Sequence, residues 1–172
     1  LKEGGAVTAR EAVEKARQCL DKVTPMESDC GELCAAACCR SLEGEETGML
    51  LFPGEEEEYR HMEGWKVLSG TAGNVVVCPG RCNRSDRPLS CRIFPLLPVV
   101  RNGEIRAAMD QRAAAVCPLA AYGVKGLSEA FREGVREAGR LLMESDATRQ
   151  MLEEMTRRQD ELKALRAAFG AK

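Results

Sequence analysis

The chain has 172 residues, 44% of them hydrophobic and 30% charged, the range of one ordinary globular domain that can bury its own core. Its 25 basic and 27 acidic side chains leave a net charge of −2, so no overall field favours nucleic acid or an anionic membrane as partner. The apolar runs fall far short of the ~20 residues that span a bilayer, and no charged leader with an apolar core precedes the first predicted helix; the expectation is a soluble, cytoplasmic protein.

In chain order, Thr8-x-x-Glu11 is a capping-box pattern, and Val13, Ala16, Leu20 and Val23 follow at helical spacing as far as Pro25. This predicts a first helix of roughly four turns. Next comes Cys30-x3-Cys34-x3-Cys38-Cys39, where the Ala35-Ala36-Ala37 run favours helix and places Cys34 and Cys38 on one rung. Along such a helix Cys30 and Cys38 stand about 12 Å apart, whereas thiolates on one tetrahedral ion lie only about 4 Å apart. Either the segment turns sharply near Gly31 or its cysteines divide between sites. Cys38 and Cys39 point about 100° apart on a helix, a constraint that a sulfur-bridged iron cluster, with its several corners, relaxes.

Residues 44–54 read as loop with a short strand at 49–52, and the acids at 55–58 suit the positive end of a short helix. Eight acids and one arginine fall between Glu43 and Glu63, a run that reads chiefly as solvated surface. The sole histidine, His61, sits in this acidic context and is expected at the surface, while Trp65, near Tyr59 and Phe52, reads as a core aromatic or local lid. Strands are predicted at 66–69 and 75–78, with a hairpin of 96–101 and 104–109 around Asn102-Gly103. These are too few for a doubly wound sheet. Leu127, Phe131, Val135, Ala138 and Leu142 mark a long helix, and Met151, Met155, Leu162, Leu165 and Phe169 mark another after Ser145-Asp146. The two should pair as a helical hairpin, with Gly134 and Gly139 permitting close approach and the apolar stripe of the last helix in the core.

The nine cysteines carry the chemistry. Disulfides are the weaker reading, because the count is odd, adjacent Cys38 and Cys39 could pair only under strain, and a chain of this length needs no covalent staples. Cys19 sits on the first amphipathic helix as a small core residue and is set aside. The others fall in short spacings that let thiols converge on metal. Cys78-Pro79-Gly80-Arg81-Cys82 places a turn between two thiols, and Cys117-Pro118 is a Cys-Pro of the kind that ends ferredoxin ligand runs. Thiolate-bound metal is anionic and needs compensation, and Arg81, Arg84, Arg87 and Arg92 interleave with Cys82 and Cys91. Of these, Arg87 and Arg92 are the expected cofactor-binding side chains, bonding to sulfur from outside the ligand set.

Taken together, Cys30-Gly31-Glu32-Leu33-Cys34, Cys38-Cys39-Arg40 and Arg87-Pro88-x2-Cys91-Arg92-x-Phe94-Pro95 resemble the YkgJ-like, CxxCxxCC family, whose members are described as zinc- or iron-chelating proteins. The likeness spans about residues 30–118, and here both first gaps are three residues where the family usually has two. The resemblance implies Cys30, Cys34, Cys38, Cys39, Cys78, Cys82, Cys91 and Cys117 as metal ligands. Related motifs occur in flagellin lysine N-methylases, thought to use iron-sulfur chemistry, yet this chain has no Gly-rich strand-to-helix loop for a nucleotide-like methyl donor.

The sequence thus predicts a mainly α domain with a small, irregular, cysteine-rich α+β metal-binding centre: an N-terminal helix in 1–25, the centre in 26–120 and a helical hairpin in 121–172. The favoured cofactor is an iron-sulfur cluster of the [4Fe-4S] type with a redox or electron-transfer role. The alternatives are a structural four-cysteine zinc module or, further off, a metal-dependent transferase or metal chaperone.

Overall fold

A β-hairpin is the platform on which the helices pack. In the computed structural model, which describes residues 6–40 and 48–170, β4 (Leu96–Arg101) pairs antiparallel with β5 (Glu104–Met109) from Leu96 opposite Met109 to Arg101 opposite Glu104. The predicted Asn102-Gly103 turn joins them, with φ of 53° and 80°, the left-handed pair that a two-residue hairpin loop requires. The other strands, β1 (Met49–Leu50), β2 (Lys66–Gly70) and β3 (Gly73–Val77), form a separate sheet in the order β1-β3-β2.

Among the described residues there are seven α-helices: α1 (Ala9–Gln18), α2 (Cys30–Leu33), α3 (Glu56–Arg60), α4 (Leu89–Ile93), α5 (Ala113–Val116), α6 (Glu129–Leu142) and α7 (Asp146–Phe169). About half of the chain is helical, a mainly α fold. The main core gathers Val13 and Leu20, Phe52, Leu89 and Ile93 of α4, Leu96 and Val99 of β4, Phe131, Val135 and Leu142 of α6, and Leu152 of α7. A smaller cluster of Leu51, Tyr59 and Val76, with Met49 and Trp65 against it, underlies the three-stranded sheet. Helices α6 and α7 touch each other, but α6 lies on both strands of the hairpin and α7 on β4. Gly139 allows the first of these contacts, since a Cβ there would stand 2.5 Å from Ile105 Cγ2 and 2.7 Å from Pro98 Cβ. From α7, Thr156 Oγ1 accepts the Val100 N–H at 3.1 Å and Gln159 Oε1 accepts the Gln111 N–H at 3.0 Å.

Four sequence expectations change in structural detail. The capping box forms, Thr8 Oγ1 accepting from Glu11 N and Glu11 Oε2 from Thr8 N, but α1 stops at Gln18. Arginines from elsewhere take the carbonyls that would continue it: Arg84 donates to the Leu20, Asp21 and Val23 oxygens and Arg92 to the Arg17 oxygen. The cysteine segment is not one helix. After α2 the chain passes through Ala35 and Ala36 with φ of 49° and 53°, and the Arg40 side chain folds back to donate to the Cys34 and Ala35 oxygens. Cys34 and Cys38 therefore share no helical rung, and the sharp turn lies at Ala35-Ala36 instead of Gly31. The short strand is confined to Met49–Leu50, and the first part of the predicted 44–54 loop lies outside the described residues. The apolar stripe of α7 is core only through Gln159; Leu162, Leu165 and Phe169 are exposed. No helix of the described residues is long and apolar enough to cross a membrane.

Candidate metal centre

Four chain segments bring the thiols together. Asp29 caps α2 by accepting the Gly31 N–H at 2.9 Å, which sets Cys30 as the first helical residue and Cys34 as its C-cap. The left-handed turn then reverses the chain into a 3-10 turn, Ala37–Cys39. Cys78 follows β3 directly, and Gly80, with φ of 89°, makes the turn that returns the chain to Cys82. Cys91 lies in α4, whose other four residues are buried. Cys117 ends α5, its N–H donating to the Ala113 oxygen at 2.8 Å.

All eight cysteines implied as ligands border one cavity of about 990 Å³. Cys19 does not: its thiol donates to the Ala16 oxygen at 3.0 Å, and burial raises its pKa to about 11. Neighbour relations within the cavity are specific. Burial first, and then the nearby thiols of Cys39, Cys78 and Cys82, push the Cys91 thiol up. Burial also raises Cys82, which has Cys78 and Cys39 as neighbours, and raises Cys30, which has Cys34 and Cys117. Cys38 hydrogen-bonds to Cys39, a bond that raises the first thiol and lowers the second. Among the described residues, no three Cys, His, Asp or Glu side chains converge closely enough to grip a single ion.

Among the interleaved arginines, Arg87 faces the sulfurs. Its guanidinium hydrogen-bonds Cys82, while its Nε is buried without a hydrogen-bond partner. That orphaned donor at a thiol-lined wall suits an anionic sulfur group, because an unpaired buried donor costs about 1–3 kcal/mol. Arg92 also borders the cavity, but its nitrogens donate to the Arg17, Ser85 and Arg87 oxygens and to Asp21. It ties the loop before α4 to α1. Arg84 makes a similar tie, and Arg81 is exposed and does not border the cavity.

His61 lies at the surface as its acidic context predicts, its side chain 75% exposed and bonded to Glu57 at 2.8 Å. Trp65 packs on buried Tyr59 with ring centroids 5.0 Å apart and also borders the cavity. Two features escape sequence reasoning. Glu55, inside the acidic run, is buried; it accepts the Phe52 N–H at 2.9 Å and the Leu89 N–H at 2.8 Å. It thereby holds the start of the helix that carries Cys91, and burial raises its carboxyl to about 7. The second is an apolar collar: Leu33, Val116 and Tyr122 border the cavity at 67%, 37% and 72% exposure. No periodic pattern separates Tyr122 from a core residue, and only the glycines that follow it, Gly123 and Gly126, hint at a surface turn.

Comparison with protein-family models, with characterised proteins and with solved structures finds no match.

Proposed function

We propose that this chain is a cysteine-ligated metal protein, an iron-sulfur protein with a redox or electron-transfer role. The observation that carries the reading is the gathering of eight thiols, from four separate segments, around one cavity that leaves out the ninth. Membership of the YkgJ-like family and a cytoplasmic setting, which keeps thiols reduced, belong to the same proposal. The donor set fits such a group: all eight sulfurs border the cavity, no histidine does, and a buried guanidinium N–H has no other partner. Thiols spread around a wide cavity suit a sulfur-bridged cluster better than one ion with bonds of ~2.3 Å.

Cys30, Cys34, Cys38, Cys39, Cys78, Cys82, Cys91 and Cys117 would hold the metal, and a bound cluster would supply one-electron transfer. The remaining roles belong to the chain itself. Arg87 offsets thiolate charge and offers a hydrogen bond to sulfur, a contact that raises reduction potential. Glu55 and Arg92 fix α4, and Met49, Trp65 and Leu119 along the wall limit water.

Anaerobic reconstitution with iron and sulfide should produce a brown protein absorbing near ~400 nm that dithionite bleaches reversibly. A colourless protein that takes up zinc alone would move the assignment to a structural zinc module. That second reading is favoured by α2 and the Ala37–Cys39 turn, which bury no residue and are the kind of short element that a structural metal stabilises.

A further inference from the structure

We infer that a second cavity, a polar cleft between α1 and the turn that leads into α3, binds a free α-amino acid, its ammonium held by Glu55 and Glu14 and its carboxylate by Arg10. None of the nine cysteines borders this cleft, so the site stands apart from the metal reading and either can fail without the other.

The cleft encloses about 310 Å³, the small end of the range for ligand pockets. Arg10, Glu14 and Arg17 of α1 form one wall, and Gly54, Glu55 and Glu58 the other. Two of its cations are already committed. Arg17 donates to Glu58 Oε2 at 2.6 Å and to the Ser85 oxygen at 3.2 Å, and Arg92 is bonded to Asp21 and to backbone oxygens. The charges left over on the walls are Arg10, Glu14 and Glu55, none of which has an ion pair among the described residues.

Glu55 is only 2% exposed. It accepts one N–H on each oxygen, from Phe52 and from Leu89, whereas a carboxylate has about four acceptor sites. No cation bonds to it, although buried charges are ordinarily paired, and burial accordingly raises its carboxyl to about 7. An ammonium group supplies the missing partner. Arg10 stands at the same end of the cleft. Gly54, with φ of 96°, lies so close to α1 that a Cβ on it would be 2.9 Å from both the Cα and the N of Arg10, and Glu55 follows Gly54 directly. A simple amine would leave Arg10 unmatched, and a simple anion would meet two carboxyl groups. An α-amino acid carries both charges on one carbon and matches the whole set. A bare metal ion does not fit, since among the described residues no three ligating side chains converge on one point.

The test is isothermal titration calorimetry of the full chain against each of the common L-α-amino acids in turn, then against the methyl ester and the N-acetyl form of the tightest one. That amino acid should bind at one site per chain. Removing either of its charges, as the ester or the acetyl form, should weaken binding at least tenfold, the loss expected for a charge-assisted hydrogen bond. Arg10→Gln should cost the amino acid the same factor yet leave its methyl ester unaffected, a pattern that a merely structural arginine would not give. Glu55→Gln should likewise weaken the amino acid but not the N-acetyl form. Because Glu55 also holds α4, the exposed Arg10 is the decisive variant. Failure of every amino acid to bind at millimolar concentration overturns the site, as does a methyl ester or N-acetyl form that binds as tightly as its parent. An Arg10→Gln chain that is folded by circular dichroism and binds like the wild type overturns it equally.

Discussion

The helical half of the molecule and its cysteine half are held by different means. Around β4–β5, helices α1, α4, α6 and α7 bury Leu20, Phe131, Val135, Leu142 and Leu152 completely, and burying such side chains contributes about 1.5–3 kcal/mol each. The segments 30–39 and 117–126 bury no large side chain: α2 and the 3-10 turns Ala37–Cys39, Pro118–Tyr122 and Val124–Gly126 have no buried residue. From these segments partly buried Leu119 and Val124 pack against the main core, little to set against a conformational entropy cost of about 1–2 kcal/mol per residue. The contrast teaches that apolar packing folds one half and leaves the other with little to hold it, the part of the chain where the proposed metal would act.

The largest expected effect is removal of metal. Chelation should strip hydrogen-exchange protection from residues 30–40 and 113–126 while leaving α6 and α7 protected. Equal protection with and without metal would break the comparison. Phe131→Ala tests the other half: it should cost about 3–5 kcal/mol in denaturant unfolding without changing metal content, because Phe131 belongs to the main core and does not border the cavity.

A subtler effect comes from Glu55, which joins the halves. Its folded pKa of about 7 lies above the ordinary value of 4.5, so between these values the unfolded chain releases the proton first. Its contribution therefore falls as pH rises from 4.5 to about 7 and is level above that. Glu55→Gln should remove this fall, seen as a flatter stability curve across that pH range. The smallest effect is Thr8→Ala, which removes the capping box of α1 and should cost about 1 kcal/mol with no change in metal binding.

Local signals in the sequence are legible where the physics is local. Asn102-Gly103 sets the hairpin and its register, Thr8 and Glu11 set the start of α1, and helical spacing locates α6 and α7. Features set by distant partners are not legible. The end of α1 depends on Arg84 and Arg92 taking its carbonyls, and the break at Ala35-Ala36 goes against the helix preference of alanine, with Arg40 bonded across the turn. Glu55 cannot be distinguished from its solvated neighbours, because its burial depends on the N–H groups of Phe52 and Leu89. At the candidate site, the spacing and the resemblance select eight cysteines and leave out Cys19. How those eight group around the cavity depends on packing between segments up to 87 residues apart, Cys30 and Cys117, and no spacing rule carries that.

Metal content decides whether the thiols of this cavity are ligands, as proposed. Iron, acid-labile sulfide and zinc should be measured per chain on one sample purified without air or chelator, alongside its visible spectrum. Iron with matching sulfide and absorbance near ~400 nm is the predicted result; a colourless chain with all nine thiols free and neither metal bound would contradict it.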